Sequence, residues 1–126
     1  MSVKFNVVER GNPADPTAPK KFYPSLVSTG KVEMRDIVRR VAEMSTISSA
    51  DTMAVVEAFL TVIPDELGQG NIVYLGDFGS FWLRLRTKGS ENEEDVSPAN
   101  VNGVLAYFRP GQVFKGVLKT IRFRKA

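Results

Sequence analysis

Polar and apolar residues alternate at the start of the chain: Val3, Phe5 and Val7 fall on one side and Lys4 and Asn6 on the other, the period of a half-buried strand. Gly11-Asn12-Pro13 closes it. Pro13, Pro16 and Pro19 lack amide donors and fix their own φ, so the stretch to Lys20 is expected to be a loop. Lys21 to Val27 reads as extended, with Pro24 tolerable only at a sheet edge or a bulge. From Lys31 the period becomes three and four. Met34, Ile37, Val38, Val41 and Ala42 make one face and Arg35, Arg39, Arg40 and Glu43 the other, which predicts an amphipathic helix of roughly three turns. Ser48-Ser49-Ala50-Asp51 has the serine-to-acid spacing of a capping box and opens a second helix, apolar around much of its circumference from Ala54 to Ile63. Pro64 should end or kink that helix, and Gly68-Gln69-Gly70 is its stop.

Alternation returns after the helices. Ile72 to Leu75 and Phe81 to Leu83 flank Gly76-Asp77-Phe78-Gly79-Ser80-Phe81, which reads as a hairpin whose glycines supply backbone freedom and whose Phe78 and Phe81 anchor a core. Beyond it, Phe81, Leu83 and Leu85 face one way and Trp82, Arg84 and Arg86 the other. Two guanidiniums beside an indole suit phosphates and bases; an exposed face with Trp82 packed under arginine stems fits the same pattern. Lys88 to Asp95 is polar and acidic at its centre, without the glycine and distal glutamate of a calcium loop, and reads as a solvated turn. The chain returns through Val101 to Tyr107 into Phe108-Arg109-Pro110-Gly111. A short helix from about Gln112 to Lys119 and a last strand over Thr120 to Arg124 are expected to follow.

At 126 residues, with 43% hydrophobic and 25% charged residues, the chain reads as one soluble domain with one core. Met1 to Asn6 lacks the basic start and apolar run of a signal peptide, and no stretch approaches a membrane span. Cysteine is absent, which suits a reducing cytoplasm. Histidine is absent too, removing the usual general base, the usual zinc ligand and every triad that runs through an imidazole. No phosphate-binding loop or dinucleotide fingerprint occurs, and Asp77-Phe78-Gly79 stands without the other parts of a kinase. An enzyme is not expected, nor a metal, a cofactor or a small-molecule substrate. The net charge of +3 is modest, but from Arg109 onward the chain has Arg109, Lys115, Lys119, Arg122, Arg124 and Lys125 and no acid. Such a field favours polyanions; a charged edge that protects a terminal strand from aggregation explains it equally.

The order of these pieces resembles the bacterial histone-like HU/IHF family. Gly76, Phe78, Gly79 and Phe81 match its hairpin, Arg84 and Arg86 the start of its arm, Phe108, Arg109, Pro110 and Gly111 its Phe-Lys-Pro-Gly segment, and Ile37 to Glu43 its first helix. The resemblance covers about Lys31 to Lys119, and the added terminal strands look like the longer, HU-related group of Bacteroidetes. It implies an α+β fold: a helical body, a sheet and a shortened arm over 31–119, a strand extension over 1–30 and a terminal strand over 120–126, all in one HU-like domain. It further implies a homodimer of the cytoplasmic nucleoid whose partner is double-stranded DNA, with Arg84, Arg86 and Arg109 as phosphate or groove contacts and Lys115 as a phosphate contact from the short helix; Lys88, Lys119, Arg122 and Arg124 are expected to add DNA-binding charge. Gln112 stands where the family usually has lysine. The family's basic arm ends in an Asn-Pro wedge; here Glu91, Glu93, Glu94 and Asp95 occupy the tip and no wedge remains to hold a kink. Two functions are therefore expected to compete: sequence-tolerant DNA binding by phosphate neutralisation, or a structural or protein-interaction module that keeps the body without the DNA.

Overall fold

The computed structural model describes residues 1–126. In chain order its elements are β1 (Ser2–Arg10), β2 (Lys21–Leu26), α1 (Met34–Glu43), α2 (Ser49–Gly68), β3 (Val73–Tyr74), β4 (Gly79–Thr87), β5 (Val101–Pro110), α3 (Gln112–Leu118) and β6 (Arg122–Lys125), an α+β fold. They form two compact units, one made of residues 1–33 with 117–126, the other of residues 34–116.

The terminal unit is a three-stranded sheet in the order β2-β1-β6, with β2 antiparallel and β6 parallel to β1. Pro24 lies in β2 opposite Val7, on an edge strand as its missing amide requires. The proline loop is tied by its own side chains: the Ala14 amide donates to Asn12 Oδ1 at 2.9 Å, and the Thr17 hydroxyl and amide donate to Asp15 Oδ1 at 2.7 and 3.1 Å. Those donors, the hydroxyl first, hold the Asp15 carboxyl below the ordinary range. Phe5, Val7, Phe22, Pro24, Leu26 and Phe123 border an open apolar depression of about 710 Å³.

The central unit begins with the helix pair. Ser48 caps α2, its Oγ accepting from the Asp51 amide at 3.2 Å while its carbonyl accepts from Thr52. The helix does not stop at Pro64 but runs four residues further to Gly68. Proline removes one amide and crowds the preceding turn; the helix accommodates both, and Gly70, at φ 91°, turns the chain away. Although α2 spans 20 residues, no helix is long and apolar enough to cross a membrane.

The three-stranded sheet β3-β4-β5 follows, antiparallel throughout. A single turn of 3-10 helix, Gly76–Phe78, joins β3 to β4, closed by the Leu75 amide on the Gly79 carbonyl at 2.9 Å. Four phenylalanines lock this turn to β5 and α3: Phe78 lies 5.5 Å from Phe108 and 5.4 Å from Phe114, and Phe108 lies 4.8 Å from Phe81. Two glycines allow that closeness. A Cβ on Gly79 would stand 2.6 Å from the Phe108 ring and collide with the Arg109 carbonyl, and one on Gly111 would fall on the backbone of Asp77. The Gly111 amide donates to the Phe78 carbonyl at 2.8 Å. The hairpin turn and the Phe-Arg-Pro-Gly segment, far apart in sequence, are thus one packed joint.

Candidate nucleic-acid interface

Strand alternation and the β4–β5 register together build one polar face. Ser80 pairs with Arg109, Trp82 with Tyr107, Arg84 with Leu105 and Arg86 with Gly103, so these eight residues share a side of the sheet. Phe81, Leu83 and Leu85, opposite Phe108, Ala106 and Val104, make the other side. There, Phe81, Leu83 and Ala106 face Leu60, Ile63, Pro64 and Leu67 of α2 across an apolar groove of about 420 Å³. The helix covers one side and leaves the arginine side outward.

On that outward side Trp82 and Tyr107 stack, their rings 5.9 Å apart and 20° from parallel. The Arg84 guanidinium sits over the Tyr107 ring, 5.3 Å from its centroid. The ring's negative face attracts the cation without occupying its N–H donors, so Arg84 is oriented and still able to bind an anion. Arg84, Arg86, Lys88, Arg109 and Lys115 form no ion pair, whereas Arg39 pairs with Asp36 at 3.6 Å. Lys88 lies just beyond β4. Lys115 is exposed on α3, next to the packed Phe114. Arg109 borders a concavity of about 370 Å³ beside the hairpin turn, which Asp77 also lines. Lys119, Arg122 and Arg124 belong to the terminal unit, the last two on β6.

Sequence reasoning passed over Tyr107, which supports Arg84. Its alternation was legible, but its position opposite Trp82 depends on register. The loop beyond the arginines is exposed from Lys88 to Asp95, as a solvated turn should be, and is also internally ordered. A β-bulge between Arg86 and Thr87 precedes it, and two short 3-10 turns, Glu93–Asp95 and Pro98–Asn100, lie within it. Asn100, buried, gathers it together: its Nδ2 donates to the Lys88 carbonyl at 2.9 Å and to Ser90 Oγ at 2.8 Å, and its Oδ1 accepts from the Ser97 amide at 2.9 Å. Replacing Asn100 with alanine should cost about 1–3 kcal/mol locally. The Ser97 amide should then exchange with solvent at least about fivefold faster, a change that residue-resolved hydrogen exchange would detect; unchanged protection would show that Asn100 does not hold the loop.

A family described as an HU domain fused to wHTH, Ig or glycine-rich motifs (HU-HIG) matches residues 1–125. No curated protein matches. A crystal structure from Bacteroides vulgatus ATCC 8482, provisionally described as a bacterial DNA-binding protein, is similar in fold at a TM-score of 0.69 and 16% identity. The similarity covers 98% of this chain and 47% of that one, so this chain spans about half its length.

Proposed function

The chain belongs to the HU-HIG family, and from that premise we propose that it is a sequence-tolerant, histone-like DNA-binding protein of the nucleoid, a homodimer that holds duplex DNA by neutralising phosphates. It is a structural protein and has no catalytic role. The observation that carries the reading is the outward face of β4–β5, where Arg84, Arg86 and Arg109 stand free of ion pairs and Arg84 rests on Tyr107. Residues two apart on a strand are roughly 7 Å from one another, so Arg84 and Arg86 reach separate phosphates. Phosphate contacts position a duplex and carry no sequence information, hence the tolerance for sequence. Lys88, Lys115, Lys119, Arg122 and Arg124 add charge. The acidic loop tip repels phosphate, so contact falls on the flat of the sheet and the duplex is not wedged open.

Exposed area supports the homodimer. A folded chain of 13.9 kDa should expose about 6,700 Å², and two separate bodies of these units' sizes about 8,000 Å²; this chain exposes 10622 Å². Val38 and Leu67 are its only buried large apolar side chains, while Val55, Phe59 and Val62 of α2 are each at least half exposed. A second copy would cover them.

The competing reading, a protein-interaction module, draws on the acidic tip. A gel-shift series on unrelated duplexes decides between them. With about four to six phosphates neutralised per protomer, log K should fall against log salt at a slope of roughly −4 to −5 per protomer. Absence of binding at low salt, or binding indifferent to salt, would overturn DNA binding in favour of the module.

A further inference from the structure

Charge is divided between the two units in a way their sequences do not advertise. The terminal unit has nine lysines and arginines against three acids, net +6; the central unit has eight against eleven, net −3; together they make the chain's +3. The unit that bears Arg84 and Arg86 is therefore acidic as a whole, and the long-range attraction for a polyanion comes from the terminal unit.

Strand register concentrates that charge on one side of the terminal sheet. Lys4 and Arg10 share a face of β1; Lys21 lies opposite Arg10, and Arg124 opposite Lys4, with Arg122 two residues before it. All five are exposed and none is in an ion pair. No acid stands on this face: Glu9, the one acid in these strands, belongs to the opposite side with Val7. Edge protection accounts for charge on β6, which is an edge strand, but not for Lys4 and Arg10, because β1 is central. Like charges directly opposite one another destabilise a sheet, and here there are two such pairs, Lys4 with Arg124 and Arg10 with Lys21. A polyanion laid across them relieves both. Arg10 and Lys21 also border a concavity of about 460 Å³. The reverse side, with Phe5, Phe22, Leu26 and Phe123, is the side that apolar packing would cover, which leaves the basic side outward.

We infer that this basic face of the terminal sheet, centred on Lys4, Arg10, Lys21, Arg122 and Arg124, is a second surface for the phosphate backbone of duplex DNA, separate from the β4–β5 face. The inference rests on the DNA-binding reading above, yet the two surfaces can fail independently.

The test uses the full chain, the same duplexes over a range of salt, and the pair Lys4→Glu/Lys21→Glu. Each new acid faces an arginine across the strands, so the thermal midpoint should hold or rise while binding at 0.1 M salt weakens by about 50-fold or more and the salt slope becomes shallower by about two to four. The neutral pair Lys4→Gln/Lys21→Gln, which creates no new ion pair, should lower the slope by about two. Unchanged affinity and slope in both variants, with the wild type bound and Arg84→Glu/Arg86→Glu impaired, would overturn the inference and leave the β4–β5 reading standing. The reverse pattern would sustain it and overturn that reading. Wild-type protein that binds phosphatidylserine vesicles and ignores the duplex would overturn it as a DNA surface.

Discussion

Arg84→Glu/Arg86→Glu should weaken duplex DNA binding at 0.1 M salt by about 100-fold for each protomer that contacts the duplex, with a thermal midpoint within a few degrees of the wild type. The estimate follows from counterion release. Each neutralised phosphate contributes a slope of about −0.9, worth roughly eightfold at 0.1 M salt relative to 1 M, so two lost contacts give about 60-fold and two new negative charges take it beyond. Stability should barely respond, because both side chains are exposed and neither belongs to an ion pair. The change at Arg84 also removes its contact with Tyr107, worth about 0.5–1 kcal/mol at an exposed site. Gel shifts and a thermal melt on the same preparation separate the two quantities. A variant that binds as the wild type does would remove the β4–β5 face from the interface; one that melts far lower would mean the arginines are structural.

The largest stability effect is expected at Gly79→Ala. Its φ of 150° is uncommon for a residue with a side chain, and the added Cβ would press on the Phe108 ring and the Arg109 carbonyl, neither a flexible chain end. Either β5 moves off β4 at its first pair or Phe108 leaves the aromatic cluster, at a cost of about 3 kcal/mol. For a unit of this size that lowers the midpoint by about 12–24 °C. Gly76→Ala is the control: φ is 59° there, but nothing lies near the added Cβ, so only the conformational cost of about 1–2 kcal/mol applies. If Gly79→Ala melts no lower than Gly76→Ala, the joint between the hairpin turn and Phe108-Arg109-Pro110-Gly111 is not as tight as the structure shows.

Both predictions draw on features that the sequence disclosed unequally. The Ser48 cap, the stop at Gly68 to Gly70, the placement of Pro24 at an edge and the turn at Gly76 to Gly79 all appear where local chemistry puts them. Each depends on a side chain's reach to its own backbone, or on a φ that few residues adopt. Pro64, expected to end or kink the helix, lies within it. Its local penalty is real, but the packing of an apolar helix against β4 and β5 outweighs it. Asn100 is local only in its bond from the Ser97 amide; its other partners, Ser90 and Lys88, lie ten and twelve residues away.

What the sequence by itself determined is the face to which each residue belongs within its own element, because the periods of strand and helix are properties of a few consecutive peptides. Trp82, Arg84 and Arg86 had to share a side, and so did Lys4 and Arg10. What only the tertiary structure decided is which faces are joined: Tyr107 beneath Arg84, and Arg124, from the far end of the chain, beside Lys4 in a parallel pair. Register between distant strands is set by the summed packing of both faces and by loop closure, so no short stretch of sequence encodes it. The phosphate-binding surfaces proposed here are products of that register.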